Sequence, residues 1–302
     1  MRLGAIDVGT NSCRMLVAEY RHDTLQEIKR DMKITRLGQG VDQNKNLAGE
    51  AIDRTLEAIV DFVNQMNELE VKKISINGTS ALRDVDNASQ LADMVYKETG
   101  CSLNIISGDT EARLNYMGVG HDDSNNIIID IGGGSTEFIW QEEGDVNYKS
   151  LDMGAVRMTE RFIADPEGTI GQKELIDIEK EVSNLISEKL NINNSKIGKA
   201  IGLGGTITTI AAINQQLVEY DTEKIENYRL KIEKIKEILD KLSGMKLENR
   251  KDVDGLQSER ADIIVAGIQI LYVTMIELKI RDVIVSEHDL LYGAIKEMTK
   301  RD

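Results

Sequence analysis

Ile6-Asp7-Val8-Gly9-Thr10-Asn11-Ser12 returns in outline as Ile129-Asp130-Ile131-Gly132-Gly133-Gly134-Ser135-Thr136, and this repetition decides the fold. In both copies an apolar run ends in aspartate, then glycine and a hydroxyl residue follow. A second β-like run comes next, Cys13 to Tyr20 in one copy and Glu137 to Gln141 in the other. Each copy therefore predicts strand, glycine turn, strand. A Rossmann dinucleotide turn and a P-loop both require a helix straight after the glycines, so this order excludes them. The glycines serve a hairpin whose inward N–H groups can make an anion-binding concavity, which phosphate reaches with no Cβ in its way.

Working outward from the first copy, residues 24–36 predict a third strand. Residues 48–69 predict a helix with Ile52, Leu56, Ile59, Val63 and Met66 on one face. A strand at 73–77, a helix at 88–99, a strand at 103–106 and a helix at 109–119 complete the order βββαβαβα. The polar loop 121–126 marks a boundary, giving domains 1–124 and 125–302, with the last helix able to pack back on the first domain. The second half repeats the scheme with strands near 127, 137 and 146, helices at 154–164 and 172–190, and a strand at 200–203. Then come Gly204-Gly205-Thr206, a helix from Ile207, a charged helix at 228–242, a core helix from Glu259, a strand at 283–286 and a last helix. Two like halves predict an α/β protein of two like domains facing a cleft.

The chain's 302 residues suit about two domains. With 41% hydrophobic and 29% charged residues and a single proline, it reads as globular rather than disordered. Its 37 basic and 52 acidic residues leave a net charge of -15, a field that repels nucleic acid and anionic lipid. A small polyanion is acceptable only where a metal or an arginine cluster reverses that sign. Cys13 and Cys101 are too few for a disulfide framework and read as reduced thiols of a cytoplasmic chain, and no export signal is visible. The most apolar segment, 263–276, falls short of the roughly 20 residues that span a bilayer and reads as a buried helix. Neither cysteine has an arginine six residues on, since Glu19 and Ser107 stand there, so a cysteine-phosphatase loop is absent. His22, His121 and His288 each precede aspartate, a coincidence without the support that histidine metal ligands need.

With Ile201-Gly202-Leu203-Gly204-Gly205-Thr206 as a third glycine loop, the chain resembles the actin, sugar-kinase and Hsp70 ATPase superfamily. Within it, Asp7 to Ser12, Thr79-Ser80-Ala81-Leu82-Arg83-Asp84, Gly108-Asp109-Thr110-Glu111-Ala112-Arg113, Asp130 to Glu137, Gly202 to Thr206 and Glu259 to Ile264 resemble the exopolyphosphatase/guanosine pentaphosphate phosphatase family. The landmarks keep the family's order from residue 7 to about 290. The resemblance implies two actin-like (ribonuclease H-like) domains, each a mixed sheet flanked by helices, around an active-site cleft.

Two adjacent hairpins can aim Asp7, Asp130 and Glu137 into one site, and oxygen donors suit Mg²⁺ or Mn²⁺. Turn capping by Asp beside Gly is the other reading of Asp7 and Asp130. Glu111, in the first turn after Gly108, reads from position alone as a helix N-terminal partner. The resemblance makes it the general base for an attacking water. It likewise implies Arg83 and Arg260 on the phosphate chain, where the alternative is an ion pair with Asp84 or Glu259. Phosphate contacts are implied for Asn11, Ser12, Gly132, Gly133, Gly134, Ser135, Thr136, Gly204, Gly205 and Thr206, whose hydroxyl members could equally cap turns.

The activity implied is metal-dependent hydrolysis of the terminal phosphate of inorganic polyphosphate or guanosine pentaphosphate by direct attack of water, with a homodimer allowed. An ATP-dependent kinase of the same superfamily and a non-enzymatic nucleotide-gated scaffold would use the same loops. Two departures stand out. Many members end in a Gly-Leu-Arg-Glu-Gly stretch, whereas Asp289-Leu290-Leu291-Tyr292-Gly293 has no arginine, so that contact is not carried over. Longer members add a helical region with an HD-like domain, which the sequence to Asp302 does not contain, so processive grip on long polyphosphate is not expected.

Overall fold

The computed structural model describes residues 1–22, 24–120, 126–142, 145–192 and 197–300. Its chain divides into two compact units, one of residues 1–121 with 288–302 and the other of residues 122–287. Residues 121–125 of the expected boundary loop 121–126, His121 included, lie outside the described residues. The last 15 residues belong with the first unit, the packing that the sequence allows for the last helix of its 125–302 segment.

The first unit opens with the meander β1 (Arg2–Val8), β2 (Ser12–Arg21) and β3 (Thr24–Ile34). It continues through α1 (Val41–Asn44), α2 (Gly49–Glu68), β4 (Lys73–Gly78), α3 (Ser80–Arg83), α4 (Ala88–Thr99), β5 (Leu103–Ile105) and α5 (Gly108–Val119). The sheet order is β3-β2-β1-β4-β5, with β1 antiparallel to β2 and parallel to β4. Period-two alternation sends Ile6 and Val8 of β1 to one face, where they pack on Ile52, Ile59, Phe62 and Met66 of α2. Burying each such side chain stabilises by roughly 1.5–3 kcal/mol, far more than helix propensity supplies.

The second unit runs β6 (Asn126–Ile131), β7 (Thr136–Glu142), β8 (Asp145–Leu151), α6 (Ala155–Phe162), α7 (Gln172–Lys189), β9 (Lys199–Leu203) and α8 (Gly204–Asn214). It ends with α9 (Thr222–Ile225), β10 (Arg229–Lys231), α10 (Ile232–Ser243), α11 (Leu247–Arg250), α12 (Ile264–Glu277) and β11 (Asp282–Val285). Its sheet order, β10-β11-β9-β6-β7-β8, contains the order of the first unit's sheet, with β10 added at one edge.

Three expectations shift here. The charged helix begins at Ile232, because Leu230 is buried between exposed Arg229 and Lys231 and the three residues pair with β11 as an edge strand. The helix after β9 begins at Gly204 rather than Ile207, so the third glycine loop is a helical first turn. The core helix begins at Ile264, and Ser258–Arg260 forms a separate 3₁₀ turn before it. That helix, α12, is buried along almost its whole length, and Gln269 within it donates to the Leu175 carbonyl at 3.1 Å. No helix among the described residues is long and apolar enough to cross a membrane.

Helix α13 (Leu290–Lys300) closes the first unit. Leu291, Ala294 and Ile295 cover Leu3 and Ala5 of β1 and Leu16 and Ala18 of β2, the sheet face opposite α2. It also crosses α5 at backbone contact. A Cβ on Gly293 would overlap the Leu114 carbonyl, and one on Gly118 would overlap the Asp289 carbonyl. Both crossing points therefore require glycine.

Candidate active site

Both glycine turns have the same construction. The Gly9 N–H donates to the Ser12 carbonyl and the Gly132 N–H to the Ser135 carbonyl, each at 3.0 Å. The turn carbonyls are taken up from one side. Thr10 O accepts from Gly38 N, and Asn11 O from Thr35 N and Arg36 N. Gly132 O accepts from Ala155 N, and Gly133 O from Val156 N and Arg157 N. The Arg157 Nε donates to Gly134 O at 2.8 Å. The N–H groups of Thr10, Asn11, Gly133 and Gly134 make no hydrogen bond among the described residues. Successive amides whose carbonyls are turned away are the donor array that binds an anion.

In the first unit, Asp7 near the end of β1 is opposite Arg14 on β2. Arg14 donates to Asp7 Oδ2 through Nε at 3.1 Å and Nη2 at 2.5 Å, and its Nη1 donates to Asp289. Asp7 Oδ1 is buried without a partner, and so is Asn11 Nδ2. Burial pushes the Asp7 carboxyl above its ordinary range, Arg14 opposes that shift, and Asp289 adds to it. Ser12 starts β2 and is nearly buried, while Thr10 Oγ1 is 2.9 Å from Ser80 Oγ at the start of α3. Burial also pushes the Cys13 thiol well above its ordinary range, which leaves no nucleophile there.

Arg83 and Glu111 meet in one ion pair, Arg83 Nη1 donating to Glu111 Oε2 at 2.6 Å and to the Ile106 carbonyl at 3.1 Å. Glu111 is only 8% exposed. It is not the cap of α5, because the Ser107 hydroxyl accepts from Thr110 N at 3.2 Å in that role. The Arg83–Glu111 pair is largely enclosed.

In the second unit, Asp130 and Glu137 are direct partners across β6 and β7, in the register that pairs Asp7 with Arg14. They are 9% and 1% exposed. The Ser135 and Ser150 hydroxyls each donate to Glu137 Oε1 at 2.7 Å. Like charges opposite each other destabilise a strand pair, so this register concentrates carboxylate oxygen where a sheet ordinarily avoids it. Gly204, at φ +86°, lies so close to Asp130 Oδ1 that a Cβ would overlap it, and Gly205 packs equally closely on the Arg260 guanidinium. Arg260 is buried, and its Nε donates to Gln257 Oε1 at 3.0 Å. Three hydroxyls face elsewhere than expected. Ser135 donates to Glu137, Thr136 donates to the Met153 carbonyl, and Thr206 packs on Gly267 of α12.

The expected carboxylate trio is divided, with Asp7 in the first unit and Asp130 and Glu137 in the second. Among the described residues no three His, Cys, Asp or Glu side chains cluster as a metal centre. The donors present nevertheless fit a hard cation, being carboxylate oxygens that include the unpartnered Asp7 Oδ1. Sequence reasoning missed Arg14, Ser150 and Gln257. Arg14 follows Asp7 by seven positions, as Glu137 follows Asp130, so the repeat itself carried the signal.

Two sheets of repeated order, each with a glycine turn between its first two strands, define a protein of the actin-like class. The sequence model of the Ppx/GppA phosphatase family matches residues 16–302, and the chain belongs to that family. It is 37% identical to the bifunctional 3-dehydroquinate synthase/phosphatase of Fusobacterium nucleatum, over 97% of this chain but 46% of that protein. It is 32% identical to exopolyphosphatase 2 of Mycobacterium tuberculosis, over 97% of each. The crystal structure of the Aquifex aeolicus Ppx/GppA family member superposes with a TM-score of 0.82 at 28% identity, covering 100% of this chain and 99% of that one.

Proposed function

We propose that this chain is a Mg²⁺-dependent phosphohydrolase that removes the terminal phosphate of inorganic polyphosphate by direct attack of water. The observation that carries the reading is the pair of turns whose N–H groups have no partner among the described residues, where Asn11 Nδ2 is a further buried donor without an acceptor. Family membership and the name of the Mycobacterium relative support the substrate class.

Asp130 and Glu137, with Asp7, would hold the metal, whose charge offsets that of the phosphate oxygens. Glu111 accepts the proton of the attacking water, and Arg83 fixes the orientation of its carboxylate. The turn N–H groups and the first turn of α8 donate to phosphate oxygens, and Arg260 offsets charge developing along the chain. Ser135 and Ser150 hold the Glu137 carboxylate in place. Guanosine pentaphosphate ends in the same anhydride and is the second substrate within this reading. A cytoplasmic setting and a homodimer belong to the same proposal, the first supported by two free thiols.

The test is phosphate release from polyphosphate and from guanosine pentaphosphate by the purified protein, with Mg²⁺ and with excess chelator. Release that stops with chelator and returns with Mg²⁺ or Mn²⁺ is expected. Full release in excess chelator would remove the metal, and no release from either substrate would remove the hydrolase reading.

A further inference from the structure

Away from these loops, the first unit contains a cavity of about 680 Å³, in the range of small-molecule sites. It lies where the end of β2, the last turn of α5 and α13 converge. Its lining departs from the composition of the chain in two ways. Aromatic residues are only 4% of the sequence, yet Tyr20, Tyr116 and Tyr292, three of its eight tyrosines, line this cavity, as does His288, one of three histidines. Acidic residues outnumber basic ones 52 to 37 overall, yet Lys296 and Lys300 line the cavity and, among the described residues, no carboxylate does.

The His288 and Tyr292 rings already form a tilted pair with centroids 4.3 Å apart. Lys296 donates to the Met117 and Gly118 carbonyls at 2.9 and 3.0 Å, which uses two of its three N–H groups. Burial, with the charge of Lys300 beside it, holds this ammonium below the ordinary lysine range. Capping the end of α5 accounts for Lys296 alone. It does not account for Lys300, or for Tyr116 and His288 lining the same cavity. Tyr20 and Tyr292 also pack on the core of this sheet, and Tyr292 donates to Glu27 Oε2 at 2.8 Å with Arg30 over its ring, so the cavity receives only what they leave exposed.

We propose that this cavity binds a small anion bearing an aromatic ring, of the size of a nucleoside monophosphate, with Lys296 and Lys300 meeting the anionic end and the tyrosine and histidine rings meeting the flat end. Ring faces stack on a base and two ammonium groups attract a phosphate, and the cavity joins both kinds of contact. The assignment is independent of the hydrolase reading, because none of these residues belongs to the glycine turns, the Arg83–Glu111 pair or the Asp130–Glu137 pair.

Calorimetric titration of the full chain with adenosine monophosphate tests it, beside adenosine, which lacks the charge, and ribose 5-phosphate, which lacks the ring. One molecule of adenosine monophosphate should bind, and each half-molecule should bind about tenfold more weakly or worse, a loss of about 1.4 kcal/mol. Two substitutions on the outer part of α13 preserve the fold. Lys300→Glu should weaken binding about tenfold or more, and Thr299→Trp should block the cavity, both with unchanged melting and unchanged phosphate release from polyphosphate. Saturating polyphosphate should not displace the nucleotide. The proposal is overturned by absence of binding at millimolar nucleotide, by binding undiminished in both variants, or by displacement with polyphosphate. Ribose 5-phosphate binding as tightly as the nucleotide would overturn the ligand class.

Discussion

Glu111→Gln separates chemistry from architecture because the Arg83–Glu111 pair gives each a different magnitude. The substitution keeps the side-chain shape, so Arg83 still finds an oxygen where it now donates at 2.6 Å. A hydrogen bond to a charged group contributes about 1.5–3 kcal/mol and a neutral one about 1 kcal/mol, so the structural cost is about 0.5–2 kcal/mol. At about 2–4 °C per kcal/mol, melting falls by roughly 1–8 °C. If Glu111 accepts the proton of water, turnover falls by about 10²- to 10⁴-fold, equivalent to about 2.7–5.4 kcal/mol on the barrier. Binding of polyphosphate stays near wild type. The assay is single-turnover phosphate release beside equilibrium polyphosphate binding and a thermal melt of the same sample. Melting lowered with turnover within about threefold of wild type, well short of the loss expected for a missing base, would refute the base and leave Glu111 as the partner of Arg83.

Gly293→Ala pushes a Cβ into the Leu114 carbonyl and should destabilise by about 1–3 kcal/mol, read as a lower urea midpoint. Arg250→Met should cost about 3 kcal/mol or more in the same measurement, because it leaves the Pro166, Gly168 and Ala261 carbonyls without this buried donor, at about 1–3 kcal/mol for each unsatisfied group. Wild-type stability would show those contacts to be dispensable. Lys296 binds fewer protons folded than unfolded in the pH interval below its ordinary 10.5, so its contribution to stability rises with pH through that interval. Stability of wild type minus that of Lys296→Met, from urea unfolding at successive pH values, should therefore climb towards pH 10.5, and a flat difference would contradict the burial of that ammonium.

The fold was legible where one period or one repeat governed the outcome. The doubled acid-glycine turn fixed two sheets of common order, and the apolar stripe of 48–69 fixed α2. Short, mixed segments were not legible, since Arg229-Leu230-Lys231 obeys a strand period and a helical one equally until Val283 is seen across from Leu230. Site positions near one another in sequence were readable, as with Asp130 and Glu137. The Arg83–Glu111 pair joins residues 28 positions apart, and no local pattern announces it. Arg14 was visible only by laying the two repeats over each other. There Arg14 stands where Glu137 stands, so one hairpin neutralises its aspartate internally and the other sets two acids side by side.

The assignment of residues 288–302 to the first unit has a consequence for how the protein is made. During synthesis β1 and β2 emerge early, but the helix that covers Leu3, Ala5, Leu16 and Ala18 follows residues 122–287. At about 5–20 residues per second, translation of that insert takes roughly 10–30 s, in which the first sheet has one covered face and one bare apolar face. The inserted unit is continuous in sequence and can finish folding on the ribosome, whereas the unit that begins the chain finishes only after α13 has emerged. A nascent chain arrested before residue 290 should therefore expose the Leu3 and Leu16 face to chaperones, and one arrested after α13 has cleared the exit tunnel should not.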